Sequence, residues 1–313
     1  MIVTTVTGGL GNQMFQYAYA HALSKELGDQ IVLNDSQMGK REIETRNLSL
    51  QHLNLDIDVG NRLKGQKVID FLFQIYRKIG IRCLKRRGLN DASIFEKMAK
   101  RGIYYCPDVF GYYPIVYTSK KIKYVEGAFQ AYQYIEKYPE LKELLRVKTE
   151  PSSKNVEMLE RIAASDSVCL HIRRGDYSAF PNLQVCTEEY YKSAVSKMKK
   201  LVPNAVFYIF SNTHDDLEWI KKNYNFGEDF DTVYVDMGNP DYEELRLMYT
   251  CRHFIISNST FSWWAQFLGK YKGKLVMAPE FWHKGRNNSE NIYMPDWIRI
   301  SVDYKVKVSQ HVS

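Results

Sequence analysis

From Ser167 onward the chain alternates between short apolar or β-branched runs and helix-like stretches of about ten residues, and this rhythm limits the fold more than any other feature. Ser167–Ile172, Val206–Phe210, Thr232–Val235, Phe254–Ser257 and Leu275–Ala278 read as strands. Thr187–Lys200, Asp215–Asn223, Asp241–Cys251 and Phe261–Leu268 read as the helices between them. Thr187 offers an N-cap hydroxyl, and Glu188 and Glu189 put negative charge in the first turn that follows. Strands separated by helices pair in parallel, and a parallel sheet is covered on both faces. Ligands then collect at the carboxyl ends of the strands. The N-terminus repeats the theme with a strand at Ile2–Thr7, a Gly-rich loop, a helix over Asn12–Leu27 stopped by Gly28, and a strand at Gln30–Asn34. Glu150-Pro151-Ser152-Ser153 breaks periodicity and reads as a linker. The expectation is an α/β chain with one domain over 1–150, a second over 151–300 and a tail over 301–313.

Several classes fall away on composition. No window approaches the roughly 18 consecutive apolar residues that cross a bilayer. The start, MIVTTVTGGLGNQ, lacks the basic region and cleavage site of a signal peptide. Five cysteines without CxxC spacing suggest reduced thiols in a cytoplasmic protein and no zinc site. Cys169 and Cys251 fall inside strand and helix and read as small core residues. The net charge of +7 is local: nine of the basic residues sit between Arg62 and Arg87, beside Asp70 alone. That placement suits neither nucleic acid nor a nucleotide site. The same window reads as a helix over Arg62–Lys85 with Val68, Phe71, Leu72, Ile75 and Ile79 on one face. A basic amphipathic helix suits an anionic membrane surface, here the inner face. Alternatively its apolar face packs into the first domain and its charges are simply solvated.

Four segments carry chemistry. In His171-Ile172-Arg173-Arg174-Gly175-Asp176-Tyr177, strand alternation puts His171 and Arg173 on one face and leaves both arginines at the strand's carboxyl end. A guanidinium is a planar donor fork that fits phosphate oxygens. The competing reading pairs Asp176 with one arginine in a structural turn. In Ser257-Asn258-Ser259-Thr260-Phe261 a strand ends in small polar residues and a helix begins, which suits phosphate. Ser259 or Thr260 also fits a plain helix cap. Gly8-Gly9-Leu10-Gly11-Asn12-Gln13 with Asp35 partly matches a dinucleotide fingerprint, which would make the chain a nicotinamide oxidoreductase. Met14, however, stands where that fingerprint needs a tiny residue. The milder reading is a tight loop lining a cleft, with Asn12 and Gln13 as polar contacts. Two DxD sequences, Asp56-Ile57-Asp58 and Asp229-Phe230-Asp231, read as exposed acidic turns rather than metal sites. Asp241-Tyr242-Glu243-Glu244 reads as a capping box with Asp241 as the cap. High aromatic content leaves a non-catalytic glycan-binding protein as a further class.

Three segments taken together, Gly8–Ala18, His171–Tyr177 and Ser257–Ala265, resemble glycosyltransferase family 11, the α-1,2-fucosyltransferases, in bacterial form. Gly127-Ala128-Phe129-Gln130 is a weaker match, with Ala128 where the family tends to be aromatic. Arg62–Asp108 has no counterpart. The resemblance implies a GT-B fold, two Rossmann-like domains facing across a cleft, the acceptor mainly on the first and GDP-fucose mainly on the second. It implies an inverting transfer that requires no metal or other cofactor. Arg173 is then the β-phosphate ligand and Arg174 assists. His171 and Glu244 contact the nucleoside, with Glu244 suited to guanine N–H groups. Ser259 and Thr260 contact phosphate within the donor loop that includes Asn258, Phe261 and the facing Asp176. Asn12 lines the cleft from the other domain beside Gly9, Gly11 and Gln13. Asp176 and Asp35 are candidates for the general base. The implied acceptor is a galactoside hydroxyl, O2 by family, on an oligosaccharide or lipid-linked glycan; another linkage or acceptor stays open.

Overall fold

The computed structural model describes residues 1–38, 47–55, 65–175, 177, 180–227, 231–285 and 289–302. Two parallel sheets organise them. β1 (Ile2–Thr5) is followed by α1 (Leu10–Leu27) and β2 (Ile31–Asn34), then by α2 (Gln66–Arg86), α3 (Asp91–Ala99), β3 (Ile103–Tyr105) and β4 (Lys123–Glu126). These four strands form a sheet in the order β2-β1-β4-β3. The single-turn helices α4 (Gln133–Glu136) and α5 (Leu141–Leu144) lead to α6 (Ser153–Ala164). The second sheet takes β5 (Asp166–His171), β6 (Ala205–Phe210), β7 (Thr232–Tyr234), β8 (His253–Ile255), β9 (Val276–Pro279) and β10 (Ile298–Ile300). Its order is β10-β9-β8-β5-β6-β7. Between those strands run α7 (Glu188–Leu201), α8 (His214–Asn223), α9 (Asp241–Thr250) and α10 (Thr260–Leu268). Every strand pairing in both sheets is parallel.

Five strands of the second sheet are the alternation read from sequence, β10 is a sixth that the reading did not contain, and the helices begin where capping chemistry allows. Thr187 accepts from Tyr190 N at the start of α7, and Thr213 accepts from Asp216 N at the start of α8. Two readings change. Glu150–Ser153 is no free linker: Ser152 caps α6 by accepting from Asn155 N. Asp241 is the first residue of α9 rather than its cap. Extended Pro240 takes that place with no side-chain bond, and Asp241 Oδ2 instead accepts from Ser49 Oγ at 2.9 Å.

In the first sheet, alternation along β1 sends Ile2 to one face and Val3 to the other. Ile2, Leu33 and Val125 pack with α1, whereas Val3, Ile103 and Tyr124 pack with α2 and α3. The sequence between 100 and 150 yields few readable signals because its strands are three or four residues long and α4 and α5 are single turns.

The sheets meet through α1 and α10. Phe15 lies 4.8 Å from Trp263 and 5.0 Å from Trp264, ring centre to ring centre. Trp264 Nε1 donates to Gly11 O at 3.0 Å, and Thr260 Oγ1 donates to Asn12 Oδ1 at 3.0 Å. A Cβ on Gly11 would stand 2.6 Å from both Thr260 C and Phe261 N. The absent side chain, and no need for phosphate, explains this glycine. Gly11→Ala tests the joint. In a free helix alanine would gain about 1 kcal/mol over glycine. Here the clash is with backbone, which cannot swing aside, so the variant is expected to lose about 1–3 kcal/mol net. A thermal melt checks the sign, and a higher melting temperature would mean that the joint has slack.

Candidate active site

Both sheets turn their carboxyl ends toward one cleft of about 810 Å³. In the second sheet, β5 leads by way of β6 to β7 on one side, while β8 leads to β9 and β10 on the other. The gap between β5 and β8 is therefore the switch point, where neighbouring connections leave in opposite directions and open a crevice. Arg173, Asn212, Met237, Ser259 and Trp282 line the cleft from the segments after β5, β6, β7, β8 and β9, and His171 from the last position of β5. The first sheet contributes Gly8–Asn12 after β1, Val109 and Phe110 after β3, and Gln130 after β4.

Arg173 lines this cleft, and its guanidinium is held in place. With the Asn212 amide turned so that its oxygen faces the cation, that oxygen accepts from Arg173 Nη1 at 2.9 Å and from Nε at 3.2 Å. The Tyr177 ring lies 5.3 Å from the guanidinium carbon. Tyr177 is fixed in turn by donating its hydroxyl to Asn258 O at 3.0 Å. Arg174 does not assist at this wall. It turns toward α8, with its guanidinium carbon 3.3 Å from the centre of the Trp219 ring and Nε 3.5 Å from Asp216 Oδ1. Strand alternation ends at His171, so the two neighbouring arginines are free to diverge. Asp176, expected beside them, lies outside the described residues.

His171 and Ser257 close the switch point, with Nδ1 and Oγ 3.0 Å apart. Burial, reinforced by the Arg173 charge, pushes the imidazole down to about 3, so it stays neutral. Asn258 is committed to structure: its Nδ2 donates to Leu183 O and Trp282 O, both at 2.9 Å. It therefore holds two cleft loops together while its edge lines the cavity. Ser259 caps α10 by accepting from Phe261 N, as the capping reading required, and still faces the cleft with Thr260 and Phe261. Trp263 and Trp264 are fully buried in the joint.

Glu244 projects from α9 into the same cleft. Burial raises its carboxyl to about 8 despite the hydrogen bond from Asn239, and the nearby Asp236 adds to the rise. Asp236 also bonds His214 Nδ1 at 2.5 Å, which raises the exposed imidazole. From the first domain Gly9, Gly11 and Asn12 line the cleft. Asn12 Oδ1 accepts from Gln130 Nε2 at 3.2 Å as well as from Thr260. Gln13 is turned away, contrary to expectation. It is buried, donates to Gly8 O and Asn47 O, and accepts from Ser49 N. Those three bonds hold the Gln13 side chain on the far side of α1 from Asn12. Asp35, at the end of β2, does not line it either. Asn212, Thr213, His214 and Asp236 do, and escaped the sequence reading because the turns that follow β6 and β7 carry no recognisable motif. Asp56, Asp58 and Asp229 of the DxD sequences lie outside the described residues. Among the described residues, no cluster of three or more His, Cys, Asp or Glu is placed to hold a metal ion.

Two all-parallel α/β units facing across a cleft, with polar groups gathered at their strand ends, make up the GT-B architecture. The solved structure of fucosyltransferase NodZ from Bradyrhizobium has this fold: it superposes with a TM-score of 0.51 at 13% identity, over 85% of this chain and 92% of that one. The pattern of glycosyl transferase family 11 matches residues 112–301, and the chain belongs to that family. An α-1,2-colitosyltransferase of Escherichia coli is 30% identical across 96% of this chain and 99% of its own length. The O-antigen biosynthesis glycosyltransferase WbnK, also of Escherichia coli, is 27% identical across 94% and 99%.

The neutral His171 has a consequence for acid stability. Its folded value is depressed, so the unfolded chain binds the extra proton between the usual 6.5 and about 3. Stability from this group is complete above that window and is lost as pH falls through it, by up to about 1.4 kcal/mol per pH unit. His171→Gln is expected to flatten the decline of melting temperature between pH 6 and pH 4, roughly the middle of that window. An unchanged slope would show that His171 ionises freely.

Proposed function

We propose that this family 11 enzyme transfers L-fucose from GDP-β-L-fucose to a galactoside hydroxyl, O2 of galactose, and forms an α-1,2 linkage. The observation that carries the reading is the pairing, in one cleft, of a fixed guanidinium beside a helix N-terminus with a half-buried carboxyl that resists ionisation. The first pair suits a diphosphate. The carboxyl suits the adjacent N–H donors of guanine, which would let it ionise. The similarity to an α-1,2-colitosyltransferase supports the linkage and leaves the sugar to experiment.

The reaction is a single displacement. The acceptor oxygen bonds to the anomeric carbon as the bond from that carbon to the β-phosphate oxygen breaks, which inverts β to α. The hydroxyl proton passes to a base, and the electron pair leaves on GDP. Charge grows on the departing phosphate, so a donor already aimed there lowers the barrier without reorganising. Arg173 fills that role, Asn212 and Tyr177 orient it, and the first N–H groups of α10 add positive potential. On this reading the phosphate charge needs no metal ion.

A donor screen tests the proposal: GDP-fucose, GDP-colitose and other nucleotide sugars with lactose, in EDTA, with product read by mass. Transfer from GDP-fucose is expected. Arg173→Ala should lower turnover about 10²–10³-fold with the fold intact. Near wild-type turnover in a folded variant would remove Arg173 from the chemistry.

Glu244 gives a separate readout. If guanine stabilises its ionised form, GDP binding below about pH 8 must expel a proton. Affinity should then rise with pH and level off above that value. Glu244→Gln should weaken binding and remove the pH dependence without lowering the melting temperature, since the native carboxyl is itself disfavoured by burial. Calorimetry of GDP binding in two buffers of different ionisation enthalpy decides it. Equal heats in both would disconnect Glu244 from the base.

A further inference from the structure

The window rich in Lys and Arg is only half accounted for by packing. Within α2 the inward face is well partnered. Phe73 stacks on Tyr124 at 3.5 Å, and Leu84 is buried with it against α3. Asp70 accepts from Asn34 Nδ2 at 2.9 Å and from the Tyr124 hydroxyl. Arg77 meets Glu126 at 3.4 Å and lies over the Tyr105 ring. The residues singled out as an apolar face are the ones left out of this packing. Val68 is 62% exposed, Phe71 65%, Leu72 59% and Ile79 58%, and Ile75 and Tyr76 are exposed with them. At 100° per residue these six fall within an arc of about 140°. The expectation that the stripe packs into the first domain therefore fails.

Charge surrounds the stripe on one border and at one end. Lys67, Lys78 and Lys85 follow one border, Arg82 and Arg86 continue the arc past Ile79, and Arg87 follows, all of them exposed. None of the six pairs with a carboxylate among the described residues, and the helix's own acid, Asp70, is turned inward. No helix among the described residues is long and apolar enough to cross a membrane.

We propose that the outer face of α2 is a docking surface for an anionic lipid membrane. Its apolar stripe would enter the boundary between headgroups and acyl chains while the cations meet lipid phosphate. A second copy of the chain is the other occupant that an apolar face suggests, and charge argues against it. A two-fold contact sets the same patch on both partners, so two cationic borders would meet. A negatively charged lipid surface complements both parts of the patch at once. The inference does not depend on the sugar or the acceptor.

Flotation with vesicles of phosphatidylcholine alone, and of phosphatidylcholine mixed with phosphatidylglycerol, tests it. The protein is expected to float with the mixed vesicles only and to be released as salt shortens the screening length. Leu72→Ser with Ile79→Ser, and separately Lys85→Gln with Arg86→Gln and Arg87→Gln, should each weaken binding about tenfold or more at an unchanged melting temperature. Failure to float with mixed vesicles at low salt would overturn the proposal, as would equal binding to neutral vesicles. A dimer in sedimentation velocity that Leu72→Ser dissolves would assign the face to a second copy instead.

Discussion

The cleft depends on one close approach, that of the first turn of α1 to the first turn of α10 at Gly11. With no side chain at that position, the two helix starts meet backbone to backbone, and Trp264 can donate to the Gly11 carbonyl. A second tie lies beside it: Gln13 accepts from Ser49 N, and Ser49 donates to Asp241 on α9. His52 stacks on Tyr242 at 4.0 Å in the same region. These contacts set how far apart the two rows of strand ends stand. A Gly-rich loop that resembles a phosphate cradle is in this chain mainly a hinge-side seam. Asn12 takes part in both roles, since it bonds Thr260 and Gln130 while facing the cavity.

The polar groups of the cleft hold one another in place. Asn212 and Tyr177 orient the Arg173 guanidinium, and His171 is kept neutral beside it, so the positive charge is concentrated on one group. A protonated His171 would set two cations against each other in a buried wall. Arg173 and Asn212 each stand two residues past neighbouring strands of one sheet, β5 and β6, so their spacing follows that of the strands.

Much of this was legible in the sequence, for identifiable reasons. The second sheet announces itself because its central strands are buried on both faces and read as continuous apolar runs, while Thr187 marks a helix start. His171, Arg173, Ser259 and Glu244 could be placed by following strand ends and motif resemblance. Arg174 could not, because its partner Trp219 lies on α8, beyond α7 and β6. Asn212 had a weak signal: it stands two residues past a clear strand, where a parallel sheet gathers its ligands. The first domain stayed obscure between 100 and 150, where elements of three and four residues carry no periodicity. In α2 the periodicity was visible, but which side of the stripe meets the domain depends on Asp70, Phe73 and Leu84 finding partners far away in sequence.

The joint also bears on how the chain is made. Thirteen of the eighteen residues of α1 are buried, the helix lying between its own sheet and α10. Part of that cover comes from residues made some 250 positions later, as the hydrogen bond from Trp264 to Gly11 illustrates. Contacts so distant in sequence form late, because a long loop must close first. During synthesis, therefore, α1 keeps an aromatic flank, Phe15 among it, open to water until α10 follows. Such a flank is where a nascent chain is most exposed to aggregation and most in need of a chaperone.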